Sequence, residues 1–454
     1  MNQQEILKLI EGHPHHKLKV AVTDIDGVLR GKFMHKDKFL SAVKSGFGFC
    51  DVVFGWDMND ALYEDMAIEA TGWHSGFPDA EARLDVSTFR QVPWENHVPF
   101  VLGDFSKHDG EDFPACPRSL LKKIIAKAEG MGFQPLFSQE FEWFNFAENN
   151  SILEERGFTN PKPYTPGMFG YSLLRASENS DYFHDLFDLL TEFGVPLEGL
   201  HTETGPGVFE AAIQYSDILE AADRAVLFKT GVKEIAYKHG IMASFMAKQT
   251  ADLPGCSGHV HQSLWDADKK RNLFFDSAHQ DQISEVMRQY IAGQLFCLPY
   301  ILPMLAPTVN SYKRLVEGAW APTTLTWGVD NRTVALRALP LGEKSSRIET
   351  RVVGSDVNPY LAMAACLASG IYGIEKRLKL DTQQTVGNGY KDLQNGVLPS
   401  NLLEATDYMK SSDVANELFG EAFVDHFTKT RIWEWKEYSK HVSDWEIKRY
   451  FEII

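Results

Sequence analysis

Cysteine is scarce: five in 454 residues, Cys50, Cys116, Cys256, Cys297 and Cys366, with no CxxC pair. An odd, widely spaced set argues against a disulfide frame or a zinc site and for reduced thiols, so a cytoplasmic location is expected. No apolar run is long enough to span a bilayer. The opening MNQQEILKLI lacks the basic region and apolar core of a secretory signal. Positive charge is also short: 45 Lys and Arg face 62 Asp and Glu, a net charge of -17. No nucleic-acid or membrane partner is expected on that balance. A local arginine cluster can still hold a small anion such as a nucleotide. There is no GxxxxGK[ST] loop and no kinase signature set. There is no internal repeat and no low-complexity tail.

What is present is an ordinary globular composition, 44% apolar and 24% charged, on a chain long enough for more than one domain. The first hundred residues read mostly as strands. A short helix over Gln3 to Gly12 precedes KLKVAVTDID and VLRGKFM, joined by an Asp-Gly turn at Gly27. Strands follow over Ala82 to Pro93 and His97 to Asp104. Phe47 to Tyr63, rich in Gly, Asp and aromatics, reads as a functional loop. The polar stretch Lys107 to Cys116 sets a boundary, giving domains 1–108 and 109–454. Beyond it, helices are predicted over Pro117 to Gly130, Ser180 to Gly194, Asp217 to Gly240, Asp281 to Leu298, Asn358 to Leu378 and Trp433 to Ile454. Strands are predicted at Phe137 to Phe144, Val195 to Leu200, Ile241 to Lys248, His259 to Trp265, Thr324 to Leu339 and Arg347 to Val353. Frequent turn-linked strand pairs favour an α+β fold with a largely antiparallel sheet.

The chemistry starts at Phe137 to Phe144, FSQEFEWF. Strand alternation puts Glu140 and Glu142 on one face and Phe141 and Trp143 on the other, toward a core. Paired carboxylates repel and need protons, arginines or a divalent metal. In HTETGPGVFE a Gly-Pro-Gly turn can bring Glu203 and Glu210 back to one point. In SGHVHQSLW, His259 and His261 share a face, as do Arg347, Glu349 and Arg351 in RIETR. Arg332 and Arg337 in DNRTVALR are five apart, so a bulge is needed to bring both inward. NSYKRL adds Lys313 and Arg314. Singly, each has a plainer reading: a wetted sheet face, hydrogen-bonded imidazoles, a salt-bridge ladder, a turn. Together, five glutamates and two histidines suit a hard divalent cation such as Mg2+ or Mn2+. The arginines suit carboxylate or phosphate, and metal with arginines is what in-line phosphoryl transfer needs.

The ordered set EFE, ExGPGxxE, SGHVHQSL, NSYKRL, DNRTVALR, RIETR and NPYLAMAACLASG resembles the glutamine synthetase family. DIDGVLRGK and FPDAEARLD resemble its N-terminal domain, and WEWKEYSKHVSDWEIKRYFE its C-terminus. The resemblance implies a β-grasp-like N-terminal domain and a catalytic domain with a curved, mostly antiparallel sheet. It implies a ring-shaped, dodecamer-like homo-oligomer with sites between subunits. It implies ATP-driven phosphorylation of a glutamate γ-carboxylate, then displacement of phosphate by an amine. By motif, Glu142, Glu203 and Glu210 match the ligands of one metal, and Glu140, His259 and Glu349 those of a second, so that two or more metals per site are expected. His261, Ser263, Arg337 and Arg347 match nucleotide-binding positions. Arg314 and Gly255, with Glu142, match the glutamate site. Arg332 and Arg351 match arginines on the transferring group.

Three departures fall on the acceptor and amine side. In RLVEGAWAP the family's flap glutamate is replaced by Trp320, and Glu317 takes the proline position. PGCSG replaces N-G-S-G, with Pro254 or Gly255 in the asparagine's place. The segment whose aspartate helps bind ammonium from the next subunit matches loosely as GWDMND, with Asp57 the candidate. Ammonium is small and strongly hydrated and needs anions and a base, whereas an aromatic flap covers an apolar substituent. The expectation is a ligase for an organic amine. The alternatives are glutamine synthetase itself, with Glu317 acting for the flap glutamate, and a silent assembly protein.

Overall fold

The structure is a computed structural model describing residues 2–64, 66, 68–107 and 110–454. The boundary expected between residues 108 and 109 lies outside the described residues. Five strands form the first sheet: β1 (Lys17–Thr23), β2 (Leu29–His35), β3 (Phe47–Cys50), β4 (Asp79–Val92) and β5 (Val98–Ser106). They lie in the order β2-β1-β5-β4-β3, with β1 and β5 parallel and the other pairs antiparallel. The Lys36–Ser45 helix connects β2 to β3. This is the grasp-like arrangement that the family resemblance implies.

The second sheet has nine strands: β6 (Gln134–Phe146), β7 (Leu197–Thr202), β8 (Val208–Ile213), β9 (Ser216–Asp217), β10 (Met242–Ser244), β11 (Val260–Trp265), β12 (Trp327–Val329), β13 (Leu336–Leu339) and β14 (Arg347–Thr350). Its main path runs β12-β13-β14-β11-β6-β8-β7, and every pairing is antiparallel except β12 with β13. Helices cover its convex side. Phe141 and Trp143 of β6 are fully buried there, and Phe141 stacks on Phe228 of the Ile218–Lys238 helix at 5.7 Å. The opposite faces of the same residues' neighbours are thereby turned to the concave side.

Ion pairs tie the first sheet to the helices that pack on the second. The buried Arg118 donates to Asp85 and Asp104 of the first sheet at 3.0 Å each and to Asp223 at 2.8 Å. Asn358 caps the Pro359–Glu375 helix through Tyr360 N and donates to the carbonyls of Asp24 and Ile25.

Several expected elements are different in extent. The predicted helix ending at Leu298 spans Glu285–Leu305 and passes through Pro299 and Pro303. Packing overrides the prolines: a Cβ on Gly293 would lie 2.3 Å from Ser369 O, so this helix and Pro359–Glu375 meet backbone to backbone. The predicted helix Trp433 to Ile454 is instead the end of Glu421–Ser439 and a separate Asp444–Tyr450, capped by Ser443 with Glu446 reaching back. Thr324 to Leu339 is not one strand but β12, a turn and β13. The loop at Phe47 to Tyr63 begins with β3 and a 3-10 turn over Asp51–Phe54 before it becomes irregular.

One core residue gives a pH-dependent stability. His426 is 2% exposed, neither ring nitrogen has a hydrogen-bond partner among the described residues, and its ring meets Phe54 edge-on at 6.3 Å. Burial pushes its pKa down from 6.5 to about 4, against the pull of Asp425. The unfolded chain therefore takes up a proton as pH falls through 6.5, while the folded chain does not until about 4. Stability is full above that window and lost within it, by about 2 kcal/mol between pH 7 and 5. Denaturant unfolding at both pH values should show this difference in the parent and a smaller one in His426→Phe; equal slopes would contradict it.

Candidate active site

The concave face gathers the carboxylates. Glu140 and Glu142 project from β6, and Glu142 stands in register with Glu210 of β8, which in turn faces His201 of β7. Gly205 and Gly207 close the β7–β8 turn in left-handed conformations, at φ +142 and +73. A Cβ on Gly207 would lie 2.3 Å from Asn145 O, so only glycine permits the approach that fixes Glu203. His261 of β11 pairs with Glu349 of β14, and Arg337 of β13 pairs with the same glutamate. His259, one residue before β11, accepts at its carbonyl from Glu140 N at 3.1 Å.

Two clusters result. Glu140, His259 and Glu349 hold ligand atoms within 4.8 Å of one another, and so do His201, Glu203 and Glu210. In the first, His259 Nδ1 lies 2.8 Å from Glu140 and 3.1 Å from Glu349. Glu349 is wholly buried and also accepts from Arg337 Nη1 at 2.8 Å and from Arg351. Burial opposes its charge, but His259 and Arg351 hold it well below the usual carboxylate range. Burial likewise opposes Glu140, and His261 and His259 hold it low. The second cluster lacks such cations. Burial and then Glu140, Glu142 and Glu203 push Glu210 up to about 10. Among the described residues Glu203 Oε2 and His259 Nε2 are buried without a hydrogen-bond partner. Unsatisfied oxygen and nitrogen donors around an uncompensated negative centre fit divalent cations.

A cavity of about 630 Å3 lies over both clusters. It brings together Glu140, Glu142, Glu203, Glu210, His259 and Glu349 with Gly255, Arg314, Trp320, Arg332, Arg337 and Arg351. Arg314 is buried and anchored on the carbonyls of Val352 and Arg351 at 3.1 Å each. Gly255 packs on its stem: a Cβ there would meet Ala247 O at 2.4 Å and Arg314 Cγ at 2.9 Å. Arg332 enters not from a strand bulge but from the turn before β13, where its carbonyl accepts from Arg351 Nε at 3.1 Å.

His261, Ser263 and Arg347 line a separate, adjoining cavity of about 310 Å3 that shares Glu140 and Ala212 with the first. Arg347 Nε donates to His261 Nδ1 at 3.3 Å, and His261 Nε2 lies 3.3 Å from Glu140. The Ser263 hydroxyl donates to Leu136 O and accepts from Trp265, so its proton is already committed within the wall.

The flap residues part company. Trp320 lines the main cavity, 61% exposed and at φ +58, with its carbonyl 3.5 Å from Arg351 Nη2. Glu317 is paired with Lys391 and is not among the cavity's lining residues. Within one chain Asp57 does not reach the cavity either. It caps its own turn through Asn59 and Ala61 and accepts from Trp433 Nε1 at 3.0 Å. Among the cavity residues not inferred from sequence are His201 and Tyr171. His201 had a usable signal, since it stands two before Glu203 at the end of a strand. Tyr171 had none: it is an exposed loop aromatic at φ +56 whose ring stacks on His201 at 4.3 Å.

Residues 114–450 match the glutamine synthetase catalytic domain. The chain is 52% identical to type-1 glutamine synthetase 2 of Dictyostelium discoideum, covering 100% of this chain and 87% of that protein. It is 37% identical to glutamate–isopropylamine ligase of a Pseudomonas species, over 100% of this chain and 99% of the relative. It is 32% identical to γ-glutamylethanolamide synthetase GlnA4 of Streptomyces coelicolor, over 99% and 95%. The solved GmaS–ADP complex superposes with a TM-score of 0.85 at 27% identity, over 98% of this chain and 99% of that one. No helix among the described residues is long and apolar enough to cross a membrane.

Proposed function

The chain belongs to the glutamine synthetase family, whose enzymes use ATP, divalent metals, glutamate and ammonia or an amine; from that premise we propose that it joins an organic amine, rather than ammonia, to the γ-carboxyl of glutamate. The observation that carries the proposal is at the flap, where Trp320 faces the cavity and Glu317 is drawn away to Lys391. Ammonium loses hydration on entry and needs anions and a base. An indole offers area burial or cation–π contact to a substituted amine instead.

In this reading, Glu142, Glu203 and Glu210, with His201 beside them, hold one cation, and Glu140, His259 and Glu349 hold a second. When bound, the cations neutralise and orient phosphate oxygens. The smaller cavity takes the nucleotide, with His261 and Arg347 toward its phosphates and Ser263 as wall. Arg314 binds the glutamate α-carboxylate, over the floor that Gly255 keeps open. Arg332, Arg337 and Arg351 surround the phosphoryl group as the γ-carboxylate attacks it and ADP leaves. The amine then attacks the acyl phosphate carbonyl and phosphate departs. Asp57, remote within one chain, acts across a contact between copies in a ring-shaped homo-oligomer. The domain division at 108/109 then separates the part that reaches a neighbour from the part that holds nucleotide and metal.

A second reading, an ammonia-using glutamine synthetase, is favoured by the 52% identity to the Dictyostelium protein. Competition between ammonia and organic amines decides between them, and Trp320→Glu should shift the preference toward ammonia. One carboxylate contact to a bound cation is worth about 1.5–3 kcal/mol, or about tenfold to a hundredfold in the ratio of kcat/KM values.

A further inference from the structure

The flap that carries Trp320 is held from outside the cavity by the loop that follows the Pro359–Glu375 helix. Leu325 N donates to Gly396 O at 3.0 Å, and Leu398 N donates to Thr323 O at 2.9 Å. The Thr324 hydroxyl donates to Gly389 O at 2.9 Å. Within this loop a 3-10 turn over Gly389–Lys391 is capped by the Asn388 side chain, which accepts from Tyr390 N at 3.0 Å. Gly389 N donates to the Thr333 hydroxyl at 2.8 Å, and a Cβ on Gly389 would stand 2.6 Å from Thr333 O. The turn is thus pinned against the segment before β13, and it presents Lys391 at a fixed place, where the ammonium pairs with Glu317.

Glu317 has no other ion pair or side-chain hydrogen bond among the described residues. Its neighbours in the chain line the cavity, Arg314 on one side and Ala319 and Trp320 on the other. Gly318 joins it to them at φ +81, with open space where a Cβ would stand, so this joint rotates at little cost. Trp320 holds φ +58, a conformation that costs a bulky residue free energy. A second arrangement of the flap is therefore within reach, with Glu317 turned into the cavity. There its carboxylate would supply the anion and base that ammonium needs.

We propose that Lys391 is a positioning residue that sets the choice of amine: by pairing with Glu317 outside the cavity it keeps that carboxylate from serving ammonium and leaves Trp320 to meet the amine. The inference rests on the reading of Trp320 as the wall that the amine meets, and it adds the residue that enforces that arrangement. Both partners of the pair are exposed. An exposed ion pair holds back an alternative arrangement by about two- to fivefold, so Lys391 tunes the preference that Trp320 establishes.

The test measures kcat/KM for ammonium, isopropylamine and ethanolamine with the full chain, ATP, Mg2+ and glutamate. Lys391→Met should raise the value for ammonium about two- to fivefold and leave the organic amines within about twofold. Lys391→Arg, which keeps the pair, should match the parent. Lys391→Met combined with Glu317→Gln should lose the gain, because the gain needs the carboxylate; a merely loosened flap would keep it. Thermal unfolding establishes that each variant is folded. A second measurement needs no lysine variant: raising the ionic strength from about 0.05 to about 0.5 M screens an exposed pair. It should raise the share of ammonium in the parent and not in Glu317→Gln; all three amines are cations, so general screening cancels in the ratio. Unchanged ammonium kcat/KM in folded Lys391→Met overturns the proposal. So does an equal gain in the double variant, loss of all turnover in folded Lys391→Met, or a salt effect that Glu317→Gln retains. A parent that prefers ammonium overturns the reading of Trp320 instead, and is told apart because each variant is compared with the parent for one amine at a time. A parent that turns over none of the three overturns both.

Discussion

Glu210→Gln is expected to abolish turnover while making the metal-free protein more stable. Glu210 faces Glu142 across β6 and β8 and shares its cluster with Glu203 and His201. Among the described residues no arginine or lysine is ion-paired to it, and its ion-pair neighbour is His201 at 3.8 Å. Burial and the converging carboxylates push Glu210 up to about 10, so without metal the chain must take up a proton there to fold at neutral pH, a cost that glutamine, of the same volume, does not carry. Relief of about 1 kcal/mol or more follows from removing that proton uptake. Loss of one ligand oxygen from a hard-cation site should weaken Mn2+ binding about a hundredfold. Lost charge stabilisation of about 4 kcal/mol corresponds to a thousandfold fall in kcat. Calorimetric Mn2+ titration and unfolding in chelator check this together. A lower unfolding midpoint in chelator, or unchanged metal stoichiometry and affinity, would contradict the assignment.

Arg351→Lys should cost about as much in rate with a different signature. Arg351 is 5% exposed and spends its guanidinium on Glu349, on the carbonyl of Arg332 and on the carbonyl of Trp320. It thus holds a metal-cluster glutamate, the turn of a second arginine and the flap residue at once. Lysine keeps the charge but has no planar fork and cannot make these three bonds. An arginine on a transferring phosphoryl group is worth about 10³ or more in rate. We expect kcat to fall on that order, KM for glutamate to move less than threefold because Arg314 is untouched, and metal stoichiometry to hold. A rise in KM without loss of kcat would show that Arg351 binds substrate rather than the transferring group.

The parts of the site legible in the sequence are those set by strand period. Glu140 and Glu142, Glu349 and Arg351, and His259 with His261 lie on strands or at their ends, and alternation alone places the members of each pair on one side. Even so, His261 and Arg347 face the smaller cavity while His259 and Arg351 face the larger, because the sheet curves and one strand serves two hollows. The Arg332 route was not legible, since it depends on a turn that interrupts an apparently continuous strand. Tyr171 and the Glu317–Lys391 pair depend on contacts between segments far apart in the chain, for which no local pattern exists. The same holds for the helix that runs through Pro299 and Pro303: local propensity argues for a stop, and the glycine contact at Gly293 decides otherwise. The β1–β2 pair was legible from its Asp-Gly turn at Gly27, which adopts φ +84, while the grasp-like arrangement was legible only through the family resemblance.

The central claim is the choice of amine, and product analysis under direct competition tests it most directly. The protein is incubated with ATP, Mg2+, glutamate and an equimolar mixture of ammonium and a panel of alkyl, hydroxyalkyl, aromatic and polyamines, and the γ-glutamyl products are resolved by mass spectrometry at early times. Product ratios under competition report kcat/KM ratios without separate rate measurements. The account predicts a γ-glutamyl amide of an organic amine in excess over glutamine, and a shift toward glutamine in Trp320→Glu. Glutamine as the dominant product of the parent, with Trp320→Glu leaving the ratio unchanged, would contradict it.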